Sequence, residues 1–147
     1  MNTHPYLRAY MAGIVVPTVV LLLLLTGFVI ARFVCHAPIP IERAIIFPMG
    51  LVPSLFGVWN MLHLWLHPRA LPIGLHGAIL PFLLAPSGYL LGRALGILTL
   101  GPEGVVYFQS IIVPYAYFAV GFVFGLIAYY LIWKYLIGFF NQMLGIA

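Results

Sequence analysis

Charge is what this sequence has least of. Only eight of its 147 residues are Asp, Glu, Lys or Arg: Arg8, Arg32, Glu42, Arg43, Arg69, Arg93, Glu103 and Lys134. With a mean hydropathy of +1.17, the chain cannot remain soluble as a monomer. Acids are rarer still, Glu42 and Glu103 being the only two. No side chain reads as a nucleophile paired with a general base, and no nucleotide or cofactor motif of real specificity occurs, so acyl or phosphoryl transfer has no candidate residues. The six basic residues are scattered singly, forming no patch, which excludes a nucleic-acid partner and points to anchoring at a membrane interface. Cys35 is the only cysteine, so an intrachain disulfide is excluded. No prenylation, lipobox or retention signal is present. The first apolar run is too long for a signal-peptide core, and no small-residue cleavage site follows it before Arg32; it is expected to be retained.

Between the charges lie four apolar runs, at residues 9–31, 44–68, 70–92 and 104–133. Each exceeds the roughly 20 residues of helix that cross the hydrocarbon core. Lipid offers the backbone no hydrogen-bond partner, so a spanning segment must be a helix or part of a closed barrel. The unbroken aliphatic stretch Val19–Leu25 does not alternate as a barrel strand would. The expected fold is therefore all-α and polytopic: one domain, an antiparallel bundle of four transmembrane helices spanning about 10–31, 44–66, 73–96 and 105–133.

Every expected span carries proline (Pro17, Pro48 and Pro53, Pro81 and Pro86, Pro114), and interior prolines kink helices. Spans 2 and 3 share the pattern Pro-x4-Pro-Ser, in which the serine can take up a carbonyl freed by proline. Gly101-Pro102-Glu103-Gly104 is a turn signal, although the apolar residues 94–100 before it could carry span 3 onward. Tyr107 and Phe108 at one end of span 4, and Tyr129, Tyr130, Trp133 and Tyr135 at the other, resemble the aromatic belts of a membrane helix. The tail from Leu136 is expected to lie along the interface.

Gly88, Gly92 and Gly96 recur at i, i+4, i+8, and Gly121 and Gly125 at i, i+4. Such rows let backbones approach closely, within the bundle or between protomers. His63 and His67 are spaced i, i+4, with His76 across a short link at the same membrane face. Two such histidines could ligate haem, and three could hold Zn²⁺. Pro68 disfavours helical geometry at His67, however, and no acid or cysteine lies nearby. Interfacial histidines beside Trp59 and Trp65 are the simpler reading, and no cofactor is expected. On the other face Arg32, Glu42, Arg43, Arg93 and Glu103 are candidates for ion pairing between loops, or for binding anionic headgroups.

Around the expected span midpoints near Val20, Leu55, Pro81 and Phe118, the only polar side chains are Thr18, Ser54, Tyr115 and Tyr117. Transporters place ionisable or unwound segments at that depth. The dry midplane argues for a non-catalytic integral membrane protein, an accessory or scaffold subunit partnered by lipid and by a homo-oligomer or larger complex. A channel between protomers is the alternative, and a haem or metal redox subunit the third. Arg8, Arg69 and Lys134 balance Arg32, Arg43 and Arg93 across the membrane, so the positive-inside rule gives no orientation. The free amino terminus and the habit of small bacterial proteins place the termini in the cytoplasm, in a bacterial inner membrane.

Overall fold

The computed structural model describes residues 4–37, 49–66, 71–109 and 111–146. It is mostly helical. Helix α1 runs Pro5–Phe33, α2 Val52–Trp65, α3 Ile73–Ala94, α4 Tyr115–Leu131 and α5 Gly138–Met143. A π-helical stretch, Ile132–Ile137, joins α4 to α5, so the last three segments form one continuous helix. Three strands intervene between α3 and α4: β1 Leu98–Leu100, β2 Gly104–Tyr107 and β3 Ile111–Pro114. Three helices are long and apolar enough to cross a membrane: α1, α3 and the continuous stretch Tyr115–Met143.

Helix α2 differs from expectation. It has 14 residues, about 21 Å at the usual rise and short of a full crossing. Pro53 sits in its first turn, where a proline lacks no needed donor, so it starts the helix and does not bend it. Pro114 likewise precedes α4 as its N-cap. Interior prolines remain in α1 (Pro17) and α3 (Pro81, Pro86). Ser87 Oγ donates to the carbonyls of Leu83 (2.6 Å) and Leu84 (3.2 Å), not to Phe82, whose carbonyl Pro86 leaves free. Pro48 lies outside the described residues.

Helix α2 lies along the first half of α1. The Tyr10 hydroxyl donates to Ser54 Oγ at 3.3 Å, and Asn60 reaches the Ala9 carbonyl at 2.7 Å. Between these contacts the two backbones meet at glycines. A Cβ on Gly13 would stand 2.6 Å from the Phe56 carbonyl oxygen and 2.8 Å from Gly57 Cα. Gly74 and Gly77 play the same part in α3, seating Tyr130 and Trp133 respectively. These four glycines allow close approach where packing, not hydrophobicity, drives association in lipid. The core that results is small: Phe56, Leu80, Trp133 and Ile137, with Val16, Trp59, Leu84 and Tyr129 packed against it.

Of the glycines expected to pack within the bundle or between protomers, one does so within the chain. Gly88, Gly121 and Gly125 have nothing within 4 Å of a built Cβ, and only Gly92 packs, against Leu98. Gly96 is not part of a row at all. It has φ +67° and ends α3, with Gly96 N–H donating to Arg93 O (3.1 Å) and Ile97 N–H to Gly92 O (2.8 Å). This is a Schellman cap, which glycine makes without a Cβ clash. Span 3 thus stops at Ala94, two residues before its expected end.

The antiparallel sheet, in the order β1-β2-β3, was not expected. Leu98 pairs with Tyr107 and Leu100 with Val105; Gly104 pairs with Pro114 and Tyr107 with Ile111. The Gly101–Gly104 turn closes the first hairpin, Gly101 N–H donating to Gly104 O at 2.8 Å. Residues 105–109 and 111–114, expected within span 4, are therefore strand and turn. An open sheet has unpaired edges that hydrocarbon does not tolerate, which puts this one at the interface or beyond. Helix α4 starts only at Tyr115, whose hydroxyl donates to Gly101 O at 2.7 Å and ties helix to hairpin. At the other end the tail continues as helix to Met143, where it was expected to leave the bundle.

Candidate functional site

Burial is concentrated where the N-terminal end of α1 meets the C-terminal end of α5. Arg8 Nη1 donates there to Leu144 O at 3.2 Å. The buried polar side chains among the described residues are Asn60, His76 and Asn141, and all three belong to this end. Helix periodicity explains the convergence. Phe56, Asn60 and His63 share one face of α2 by i, i+4, i+7 spacing, so the face that enters the core with Phe56 turns polar one turn later.

Asn60 and Asn141 clasp each other. Asn60 Nδ2 donates to Asn141 Oδ1 at 2.8 Å, and Asn141 Nδ2 donates to Asn60 Oδ1 at 3.1 Å. The second Asn60 hydrogen goes to Ala9 O. One amide pair thereby joins α1, α2 and α5.

A second clasp joins α2 to α3. Trp59 Nε1 donates to His76 O at 3.0 Å, and His76 Nε2 lies 3.0 Å from Trp59 O. A carbonyl only accepts, so Nε2 carries the proton and Nδ1 the lone pair. The indole stacks on the imidazole at 4.8 Å, and Trp133 meets it edge-on at 5.8 Å. The His63 ring is 4.8 Å away. The Trp133 Nε1 is buried with no hydrogen-bond partner among the described residues.

The histidine candidates are thus partly brought together: His63 and His76 are neighbours, and His67 lies outside the described residues. Among the described residues no group of three His, Cys, Asp or Glu side chains could hold a metal ion. Haem fits poorly. The two rings are in near contact at 4.8 Å, leaving no gap for a macrocycle between them, and Nε2 of His76 is already committed to Trp59.

Of the opposite-face group, Arg32, Arg93 and Glu103 are among the described residues. Arg32 and Arg93 stand in the last turns of α1 and α3, where a cation complements the helix dipole. Arg93 and Glu103 are both exposed, and among the described residues no ion pair joins them. Glu42 and Arg43 lie outside the described residues.

Two cavities flank the core. One, of about 170 Å³, runs between α1, α2 and the π-helical stretch and is lined by Val16, Val20, Leu24, Val52, Phe56 and Tyr129, with almost no polar surface. The other, about 240 Å³, opens at the termini end against Asn60, His63, Ile73, Lys134, Asn141 and Gln142. Lys134 is carried by the π-helical stretch, a helical irregularity frequent at functional sites. Its ammonium lies 5.6 Å from the Tyr130 ring and 5.1 Å from that of Tyr135.

Sequence reading located His63 and His76 but missed Asn141, which it left in an interfacial tail. The available signal was an asparagine in an apolar stretch without charge, since a buried amide in lipid needs a partner. No family model matches this chain, and no curated protein or solved structure matches it.

Proposed function

We propose that the chain is a non-catalytic integral membrane protein that crosses the bilayer four times as an antiparallel, proline-bent bundle and serves as an accessory or scaffold subunit. Connectivity supports this crossing number. Helices α1 and α3 both begin at the termini end, judged by the Asn60–Ala9 and Trp59–His76 bonds, which supports a return crossing by the chain between them. A bacterial inner membrane, with both termini in the cytoplasm, is the location this reading assigns.

The observation that carries the subunit role is the contrast between the two halves. The buried residues of α1 end at Pro17, and α4 has none at all. Gly121 and Gly125 face open space on α4, as does Gly88 on the exposed second half of α3. Bare glycines on lipid-facing helices are where another helix packs backbone to backbone. The apolar cavity at mid-depth offers no group for ion binding or chemistry, which supports an architectural role over transport.

Self-association through Gly121 and Gly125 is the reading to test. Light scattering of the detergent-purified protein should give a mass above that of one chain, and Gly121→Leu with Gly125→Leu should reduce it to one chain. A wild-type protein that is monomeric, in detergent and when cross-linked in native membranes, overturns self-association. Copurification with a larger complex through the same face would keep the subunit role.

A further inference from the structure

We infer that the polar cavity at the termini end is a binding site for a phosphate group, presented by an anionic phospholipid headgroup or as free phosphate. The inference rests on a count of hydrogen-bonding capacity around the cavity. Asn60 has spent both amide hydrogens, on Ala9 O and Asn141 Oδ1. Asn141 has spent one of two on Asn60 and, although only 4% exposed, is among the residues lining the cavity. Gln142 adds an amide, His63 an imidazole N–H and Lys134 an ammonium with three donors. Among the described residues no carboxylate lines the cavity. Among these lining residues donors therefore outnumber acceptors, and the one formal charge is that of Lys134.

The surrounding backbone removes the competing acceptors. Helix α5 ends in a Schellman cap, with Gly145 at φ +65°, Ile146 N–H donating to Asn141 O (2.9 Å) and Gly145 N–H to Gln142 O (3.0 Å). Arg8 takes the Leu144 carbonyl. The Phe140, Asn141, Gln142 and Leu144 carbonyls at the negative end of that helix are thus occupied. Ile73, the first residue of α3, opens on the cavity from a helix N-terminus that has no side-chain cap, adding the positive end of a 22-residue dipole.

Size and place select the ligand. At about 240 Å³ the cavity is below the ~300–1,000 Å³ of sites for drug-sized molecules and suits a single polar group. Lys134 sits between Tyr130 and Tyr135, an aromatic setting typical of headgroup depth. Basic pockets between membrane helices recognise anionic headgroups at this level. The free-phosphate source does not depend on the membrane reading, whereas the lipid source does.

The test is a thermal-melting titration of protein purified in uncharged detergent, with three probes: dioctanoyl phosphatidylglycerol, dioctanoylglycerol and inorganic phosphate. A rise in Tm with phosphatidylglycerol alone assigns the lipid source. A rise with inorganic phosphate assigns the free one. Lys134→Gln should leave the ligand-free Tm unchanged and weaken the apparent affinity about fivefold, the worth of one cation near an anionic surface. Gln142→Leu, at an exposed position, provides the second variant. The inference is overturned if neither phosphate-bearing probe raises Tm, if dioctanoylglycerol raises it equally, or if both variants bind as tightly as the parent.

Discussion

Asn60 and Asn141, 81 positions apart, hold each other by two reciprocal amide hydrogen bonds of 2.8 and 3.1 Å in the buried end of the molecule. Neither amide is charged, so the pair avoids the cost of a buried ion, and each carbonyl–amine set satisfies the other. In an apolar setting this makes the two residues interdependent. Asn60→Leu strands the Asn141 amide and the Ala9 carbonyl, and should destabilise the protein by about 1–3 kcal/mol. Asn60→Leu with Asn141→Leu removes both partners and should cost less than the two single changes added together. Reversible unfolding in mixed micelles measures all three. Strictly additive losses would show that the pair is not a unit.

Glycine positions offer a sharper contrast. Trp133 occupies the space a Cβ on Gly77 would take, whereas nothing lies near Gly121. Gly77→Ala should push Trp133 from the core and cost about 1–3 kcal/mol, the usual penalty of overpacking. Gly121→Ala should leave monomer stability within about 0.5 kcal/mol of the parent, as surface changes do. Trp133 has its indole N–H buried, so a red-shifted tryptophan emission should accompany Gly77→Ala and not Gly121→Ala.

These glycines show what was legible in the sequence. Long charge-free runs gave the three long helices, because length and apolarity alone decide whether a helix can cross lipid. The same criterion failed at residues 98–114. Ile, Val and Tyr serve strand and helix equally, so an unbroken apolar run does not distinguish the hairpin about the Gly101–Gly104 turn from the ends of two long helices. It failed again at Pro53, where a helix start and a helix kink look alike without knowing where the helix begins. Packing glycines were unreadable for a different reason. Gly13, Gly57, Gly74 and Gly77 make no regular row, and which glycine meets a neighbour depends on the crossing of two helices that sequence spacing does not encode.

The histidines give a prediction about cofactors. His63 and His76 are 4.8 Å apart with His76 Nε2 committed to Trp59 O, so a porphyrin has no place between them. Protein purified from haem-supplemented cells should show no Soret band, and elemental analysis should find less than one zinc per chain. A stoichiometric metal lost on His63→Ala would reverse this reading and make the clasp a ligand-positioning device.

Cys35 supplies a reporter of orientation without engineering. It is the only cysteine, is exposed, and directly follows the long helix α1, at the end opposite Arg8 and Leu144. With the termini in the cytoplasm, Cys35 faces outward. A membrane-impermeant maleimide should then label it in intact spheroplasts, and Cys35→Ser should abolish the label. His4→Cys in the Cys35→Ser background should react only after permeabilisation. Labelling of both positions from outside is incompatible with α1 crossing the bilayer. Labelling of His4→Cys alone means that the chain is inserted the other way up. The balance of basic residues makes this informative, because it deprives the chain of the usual electrostatic bias.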